Sequence, residues 1–371
     1  MDSELKTPSA RQGLQCRDTT LGWLRQNLFS SWWNSAVSAV LLVLLAMLTA
    51  RLFQWLIIDA QWAGSEPSAC ADTSSLCWPF IRARWPQFLY GLYPSEQVWR
   101  VNLGLAVGAL LGVALAVRRM PARRWIAAFL LVAYPPLAWW LFHGGTGGLA
   151  PVETSLWGGF FLTLVVTGSV FWISLLAGVL LALGRQSRLA LVSQACTVWI
   201  EFWRAVPVLV LLFVVIIMLP LFLPANMEID RLGRAMLAFA ILMSTYLAEA
   251  VRGGLQSLSV GQFEAARALG LNWRQSRLYV VLPQALSVAL PQITSNFIGL
   301  FKETTVLLVI GLFDLMGEVQ RAASDPQWLG TGTTAAGYIF VAVFFWTACF
   351  CLSRASSRLE RRMTRYRAAA S

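Results

Sequence analysis

Histidine is almost absent from this chain: His143 is the single one in 371 residues. The six cysteines are scattered and include no Cys-x-x-Cys pair, so a His-rich metal site, a zinc module and thioredoxin-like chemistry are all excluded. No Gly-x4-Gly-Lys-Ser/Thr phosphate loop occurs, and the chain is therefore not expected to hydrolyse ATP itself. Its serines and threonines have no histidine partner and no His-Glu-x-x-His appears, which removes the usual intramembrane hydrolases. The first apolar run has no small-residue cleavage site, so no removable signal peptide is expected. Charge is scarce at 13% of residues, whereas 57% are hydrophobic. That balance, with a mean hydropathy of +0.62, is that of a membrane protein. The net charge of +11 would suit nucleic acid on a polar chain, but these arginines fall between apolar runs and are first explained by topology. No nucleic-acid partner is expected.

Unsatisfied backbone is costly in lipid, so each apolar run of about 20 residues is expected to be a spanning helix. Eight such runs can be traced, giving an all-α integral membrane protein. They are Ser35–Ile58, Val98–Val117, Trp125–Phe142, Leu156–Leu183, Val206–Leu223, Gly233–Val251, Pro283–Lys302 and Ala336–Ser353. Arg118, Arg119, Arg123 and Arg124 crowd the turn between the second and third and place it in the cytoplasm. Alternation then puts 118–124, 184–205, 252–282 and 354–371 inside, all arginine-rich, with both termini cytoplasmic. The implied organisation is a cytoplasmic segment 1–34, three helices over 35–154 with a long outer loop 59–97, a core over 155–353 with an inner loop 252–283, and a basic tail 354–371.

Gly104, Gly108 and Gly112 share a helix face, as do Ser174, Gly178 and Ala182, so both stripes are expected to admit a close helix neighbour. Cys70 and Cys77 in the outer loop are a possible disulfide, with a free pair as the open alternative. Cys16, Cys196, Cys349 and Cys351 face the reducing side, and His143, beside Gly144 and Gly145, reads as a loop residue.

The inner loop 252–283 is long and rich in local signals. Ser259 with Gln262 forms a capping-box pattern, Phe263 through Leu269 favour helix, and Gly270 supplies a left-handed stop. Glu264 and Arg267 are i,i+3 neighbours, while Phe263 and Leu269 offer an apolar contact to another surface. On physical grounds the helix either docks a partner or lies against lipid headgroups.

The string Gly261-Gln262-Phe263-Glu264-Ala265-Ala266-Arg267-Ala268-Leu269-Gly270, followed by Leu282-Pro283-Gln284-Ala285, resembles the EAA loop of binding-protein-dependent ABC importer permeases. In that family the loop inserts a coupling helix into a cleft on the ATPase. The resemblance extends further. Gly158-Gly159 and Thr163-Leu164, then Leu181 to Arg185, resemble the start of the polar amino-acid subfamily's permease domain. Glu201-Phe202-Trp203-Arg204-Ala205-Val206-Pro207 is similar to its E-x-x-R-G-x-P signature, with Ala205 replacing glycine. Tyr246 to Gly254 is similar to Y-x-A-E-x-x-R-G-G, and Lys302-Glu303-Thr304-Thr305 to K-[DN]-T-S. The resemblance implies a five-helix type I importer core preceded by three extra helices, as in a permease of the general L-amino-acid uptake system. It also implies a second homologous permease, an ATPase dimer holding Mg-ATP, a periplasmic amino-acid-binding protein and a bacterial inner-membrane location. No cofactor is expected on this chain itself.

Ionisable residues at membrane depth are functional candidates by default. Glu249 with Arg252, and Glu201 with Arg204, have i,i+3 spacing and are read either as simple intrahelical pairs or as a latch of the inner gate. Lys302 and Glu303 lie about 20 residues, or roughly 30 Å, beyond Pro283. They either snorkel to the outer surface or line the pathway with Asn296, Thr304 and Thr305 and meet the charged ends of an amino acid. Val306–Phe313 is too short to span and is expected to fold back. Pro283 and Pro291 can bend the seventh helix. The rival function is an ion-coupled secondary amino-acid transporter, which should show paired interrupted helices; one such segment is found.

Overall fold

The computed structural model describes residues 22, 24, 27–64, 66–70, 75–117, 120, 122–224 and 226–370. It divides into two units, Met1–Ala60 and Gln61–Ser371. The first holds α1 (Trp32–Phe53), prolonged by a π turn over Gln54–Ile58 with Arg51 in the last α-helical turn. Trp32 and Trp33 stack at its start with centroids 4.0 Å apart. Cys16 lies outside the described residues.

The second unit opens with residues 61–97 of the 59–97 segment, which contain α2 (Trp78–Tyr90). After it come α3 (Val98–Ala116), α4 (Arg123–His143), α5 (Gly159–Arg185) and α6 (Ala190–Ala205). The rest are α7 (Val208–Phe222), α8 (Arg231–Gln256), α9 (Val260–Ala268), α10 (Leu282–Glu303), α11 (Leu315–Ala323) and α12 (Thr331–Ala370). Seven helical stretches are long and apolar enough to cross a membrane, and eight if the bent pair α6–α7 is one span. The fold is the helical membrane architecture expected. Arg123 and Arg124 begin α4, while Arg118 and Arg119 lie outside the described residues.

α8 is the hub, because small residues on several sides let neighbours approach. Ser174, Gly178 and Ala182 of α5 are all buried, and a Cβ on Gly178 would sit 2.9 Å from both the Leu247 side chain and the Ser244 carbonyl. Ser174 Oγ donates to Ala240 O at 3.3 Å, so α5 and α8 run in the same direction. Gly254 lies against the Ala285 carbonyl, which brings α10 back antiparallel. In the other stripe, Gly104 meets Phe142 and Gly108 meets the Tyr134 hydroxyl, which donates to Gly104 O at 2.9 Å, but nothing lies within 4 Å of a Cβ on Gly112. Two glycines, not three, therefore seat α4 on α3.

The structure departs from the sequence reading in four places. The inner segment 184–205 holds a separate helix, α6 over Ala190–Ala205, set off from α7 because Val206 is extended ahead of Pro207 and the chain bends by 103° there. The stretch 313–335, between the seventh and eighth expected spans, contains α11, whose apolar residues cover one side only and escape a search for long apolar runs. The last helix starts at Thr331 and continues without a break into the arginine tail. α10 passes through Pro291 uninterrupted, and Pro283 directly follows a π turn over Ser276–Val281 within the same continuous helical stretch.

The 59–97 segment has a core of its own. Phe80, Ile81 and Phe88 of α2 pack with Leu315, Val319, Trp328 and Val341, and Cys70 and Cys77 close a disulfide with Cα atoms 5.9 Å apart. Arg84 pairs with Asp325, and Gln87 Nε2 donates to Glu318 Oε2 at 3.0 Å. α2 thus lies across the ends of α5, α11 and α12.

Candidate functional site

At one end of the bundle, α9 leaves α8 after a short turn and is built largely by backbone geometry. The expected Ser259–Gln262 capping box is not formed: Ser259 makes no side-chain cap bond, and Gln262 Oε1 accepts from Gln284 Nε2 at 3.0 Å instead. A reciprocal box forms one helix later, between Asn272 and Gln275. Gly270 is left-handed at φ +76. Its N–H donates to Arg267 O at 2.9 Å and the Leu271 N–H to Ala266 O at 3.2 Å, the two bonds of a Schellman stop. Ala266 is buried and Phe263 packs half-buried on the chain's own core, so Phe263 is not part of an outward face. Gly261, Glu264, Ala265, Arg267 and Gly270 are exposed, and Leu269 is 81% exposed. No ion pair joins Glu264 to Arg267 among the described residues.

Beside this loop the four charged candidates meet, and of the two i,i+3 pairs expected Glu249–Arg252 forms while Glu201–Arg204 does not. Glu249, whose side chain is 17% exposed, accepts from Arg252 at 2.7 Å within α8, from Arg185 of α5 at 2.7 Å and lies 3.7 Å from Arg204 of α6. Glu201 pairs with Arg185 at 2.9 Å rather than with Arg204. Arg204 instead lies over the Tyr246 ring, 5.6 Å from its centroid. One carboxylate thus ties the ends of α5, α6 and α8 together. Arg185 was not singled out from the sequence; its place in the Leu-Ala-Leu-Gly-Arg string was the available signal.

At the opposite end, α10 continues into a 3-10 stretch over Thr304–Ile310 that ends at left-handed Gly311, so most of the 306–313 stretch prolongs α10 rather than folding back on it. Lys302 is exposed and Glu303 half-buried in the last turn of α10. Asn296 Oδ1 accepts from Gln292 Nε2 at 3.3 Å, while its buried Nδ2 has no partner among the described residues. Thr305 Oγ1 donates to Lys302 O at 3.0 Å. Thr304 is buried and donates to Phe301 O at 3.1 Å and Asp314 Oδ2 at 3.3 Å, so its hydroxyl is committed within this stretch. Asp314 caps α11 by accepting from the Gly317 N–H at 3.0 Å, and burial pushes its carboxyl up to about 6. Burial likewise raises the Glu318 carboxyl, against Gln87 and Arg321.

Residues 174–365 match the family described as "Binding-protein-dependent transport system inner membrane component". The chain belongs to this family. It is a multi-span permease subunit, not an enzyme, and ATP hydrolysis resides in a separate subunit. The ion-coupled alternative is not favoured. The permease is 43% identical over 341 residues to the "Inner membrane amino-acid ABC transporter permease protein YhdY" of Escherichia coli, covering 92% of each chain. It is 34% identical over 411 residues to the "Glutamate/glutamine/aspartate/asparagine transport system permease protein BztC" of Rhodobacter capsulatus, covering 92% of this chain and 93% of that one. A solved structure, "Crystal structure of an amino acid ABC transporter with histidines", is 32% identical with a TM-score of 0.49, covering 55% of this chain and 92% of that one. The matched stretch holds α9, the Glu249 cluster and the α10 end; Cys70 and Cys77 of the permease lie outside it.

Proposed function

We propose that this permease imports L-amino acids of several side-chain types, delivered by a periplasmic binding protein and released inward by alternating access. It works beside a second homologous permease and a pair of ATPase subunits that hold Mg-ATP, with α9 as the element that receives their motion. The observation that carries this reading is the α9 geometry: a short helix locked by a Schellman stop at Gly270, anchored inward by Ala266 and Phe263, and presenting Glu264 and Leu269 outward. The named relatives support amino acids as cargo. The Glu249 cluster stands next to α9, where it can latch the inner ends of α5, α6 and α8 when the gate is closed. In this orientation α9 and the α12 tail are cytoplasmic and the 59–97 segment is periplasmic. Lys302, Glu303 and Asn296 are offered as pathway residues at the far end of α10.

The test is co-purification of the permease with its genomic neighbours and measurement of amino-acid-stimulated ATP hydrolysis. Stimulation by several amino acids, abolished by Glu264→Lys while the subunit still reaches the membrane, is the expected result. Unaltered coupling in that variant would remove α9 from the role.

A further inference from the structure

A cavity of about 890 Å³ lies at the end of the bundle away from α9, between the 139–155 corner and the start of α8. A second, of about 600 Å³, shares Glu228, Ile229, Asp230 and Arg234 with it. The first is within the size range of ligand pockets. Its lining is unusual for this apolar chain, because both signs of charge converge on it: Glu153, Glu228 and Asp230 against Arg231 and Arg234. Among the described residues none of the five takes part in an ion pair.

Three of these groups are already held in place by neutral partners. Asp230 accepts from the Gly233 N–H at 2.9 Å and from Thr154 Oγ1 at 2.6 Å, which ties the 153–155 turn to the start of α8. Arg234 donates from Nη1 to Ile216 O at 2.6 Å, and its buried Nε has no partner among the described residues. Glu228 and Arg231 are left exposed on the same cavity, and Ser155 Oγ steers Glu153 at 3.1 Å. Trp139 and Ile229 supply apolar wall beside them. An α-amino acid carries one carboxylate, one ammonium and a side chain. Guanidinium groups match a carboxylate in shape and charge, and carboxylates match an ammonium.

We propose that this cavity is a binding site for a zwitterionic α-amino acid, with Arg231 and Arg234 taking its carboxylate and Glu228 and Glu153 its ammonium. The site rests on the amino-acid reading above; Lys302, Glu303 and Asn296 are not among its lining residues, although Gly311 and Leu312, just past the 3-10 stretch that follows α10, complete its wall. Part of its wall, Trp139 and Glu153 to Ser155, comes from outside the stretch that matches the family. It would hold cargo at the entrance before the helix-lined pathway opens.

The full-length permease in lipid nanodiscs, without ATPase or binding protein, is titrated with labelled L-glutamine, L-leucine and L-arginine. At least one should bind saturably. Arg231→Gln and Glu228→Gln should each weaken that binding about tenfold or more, the scale expected when one member of a charge contact is removed. A matching acid without the ammonium, or amine without the carboxylate, should not displace the label. No binding, or binding unchanged in both variants, overturns the site even where amino acids still stimulate the assembled ATPase. If no amino acid stimulates the assembled importer, the functional reading fails and this ligand class fails with it. If Arg231→Gln does not reach the membrane, Glu228→Gln and Glu153→Gln decide.

Discussion

Glu249 shows how much depends on which charges meet. It is a largely buried acceptor for more than one guanidinium, whereas its neighbour Glu201 has a side chain that is 62% exposed. Glu249→Gln should therefore cost about 1–3 kcal/mol of stability, because it leaves half-buried arginines without their counter-charge. Glu201→Gln should cost at most about 1 kcal/mol, as for an exposed pair. Thermal unfolding of the purified subunit checks the order, and a double-mutant cycle should find coupling between Arg185 and Glu201 but none between Arg204 and Glu201. Asp314 gives a pH prediction. Its carboxyl is raised to about 6 in the fold, from 3.8, so the folded state holds a proton that the unfolded chain has released. Stability is thus greater below about pH 4 and is lost as pH rises through about 6, a range worth about 3 kcal/mol at most. The wild type should gain stability relative to Asp314→Asn as pH falls from 7 to 5; parallel pH profiles would contradict the raised carboxyl.

Single elements are where local signals succeed or fail. The Gly270 stop was legible because a left-handed residue after a helix asks for glycine, and φ +76 is what the chain adopts there. Nothing crowds a Cβ at Gly270, so Gly270→Val should cost about 1 kcal/mol through backbone strain alone. Insertion should be normal, with the ATPase bound weakly or cycling without substrate control, as read by co-purification and by ATP hydrolysis with and without amino acid. The capping box was misplaced because Ser259 has an extended backbone suited to capping, yet the side chain of Gln262 is taken by Gln284, a residue from another helix. Gly91 is the converse case. It is left-handed at φ +68 and lies on the backbone of Gly158, whose own added Cβ would meet Glu318 Oε1 at 2.5 Å. Gly91→Ala should loosen α2 from α5 and α11, at a cost of about 1–3 kcal/mol. Faster proteolysis within 59–97 in the variant is the expected sign.

For the whole molecule, the helix directions can be tested together. α5 and α8 run parallel and α10 returns antiparallel, which is what alternation requires of the fourth, sixth and seventh spans whichever side the N-terminus faces, so the side has to be tested separately. With an inward N-terminus, Ala122→Cys should resist an impermeant thiol reagent added outside intact cells, and Met227→Cys, at an exposed position in the α7–α8 connection, should react. Labelling of Ala122→Cys from outside would invert the arrangement.

The spans, their order and the helical strings of the 259–270 loop are written in consecutive residues. They could be read without coordinates because bilayer thickness sets the length of an apolar run and a positive φ selects glycine. Partner choice is not written that way. Arg185 reaches Glu249 across 64 positions and Gln87 reaches Glu318 across 231. No spacing rule connects residues so far apart: the i,i+3 pair Glu249–Arg252 could be read along the chain, whereas Arg185 as the partner of Glu201 and a further partner of Glu249 needed the packing of α5, α6 and α8. The same holds for α2 and α11: each is too short and too polar on one side to announce itself, and each is a helix because its apolar side has the other to pack against.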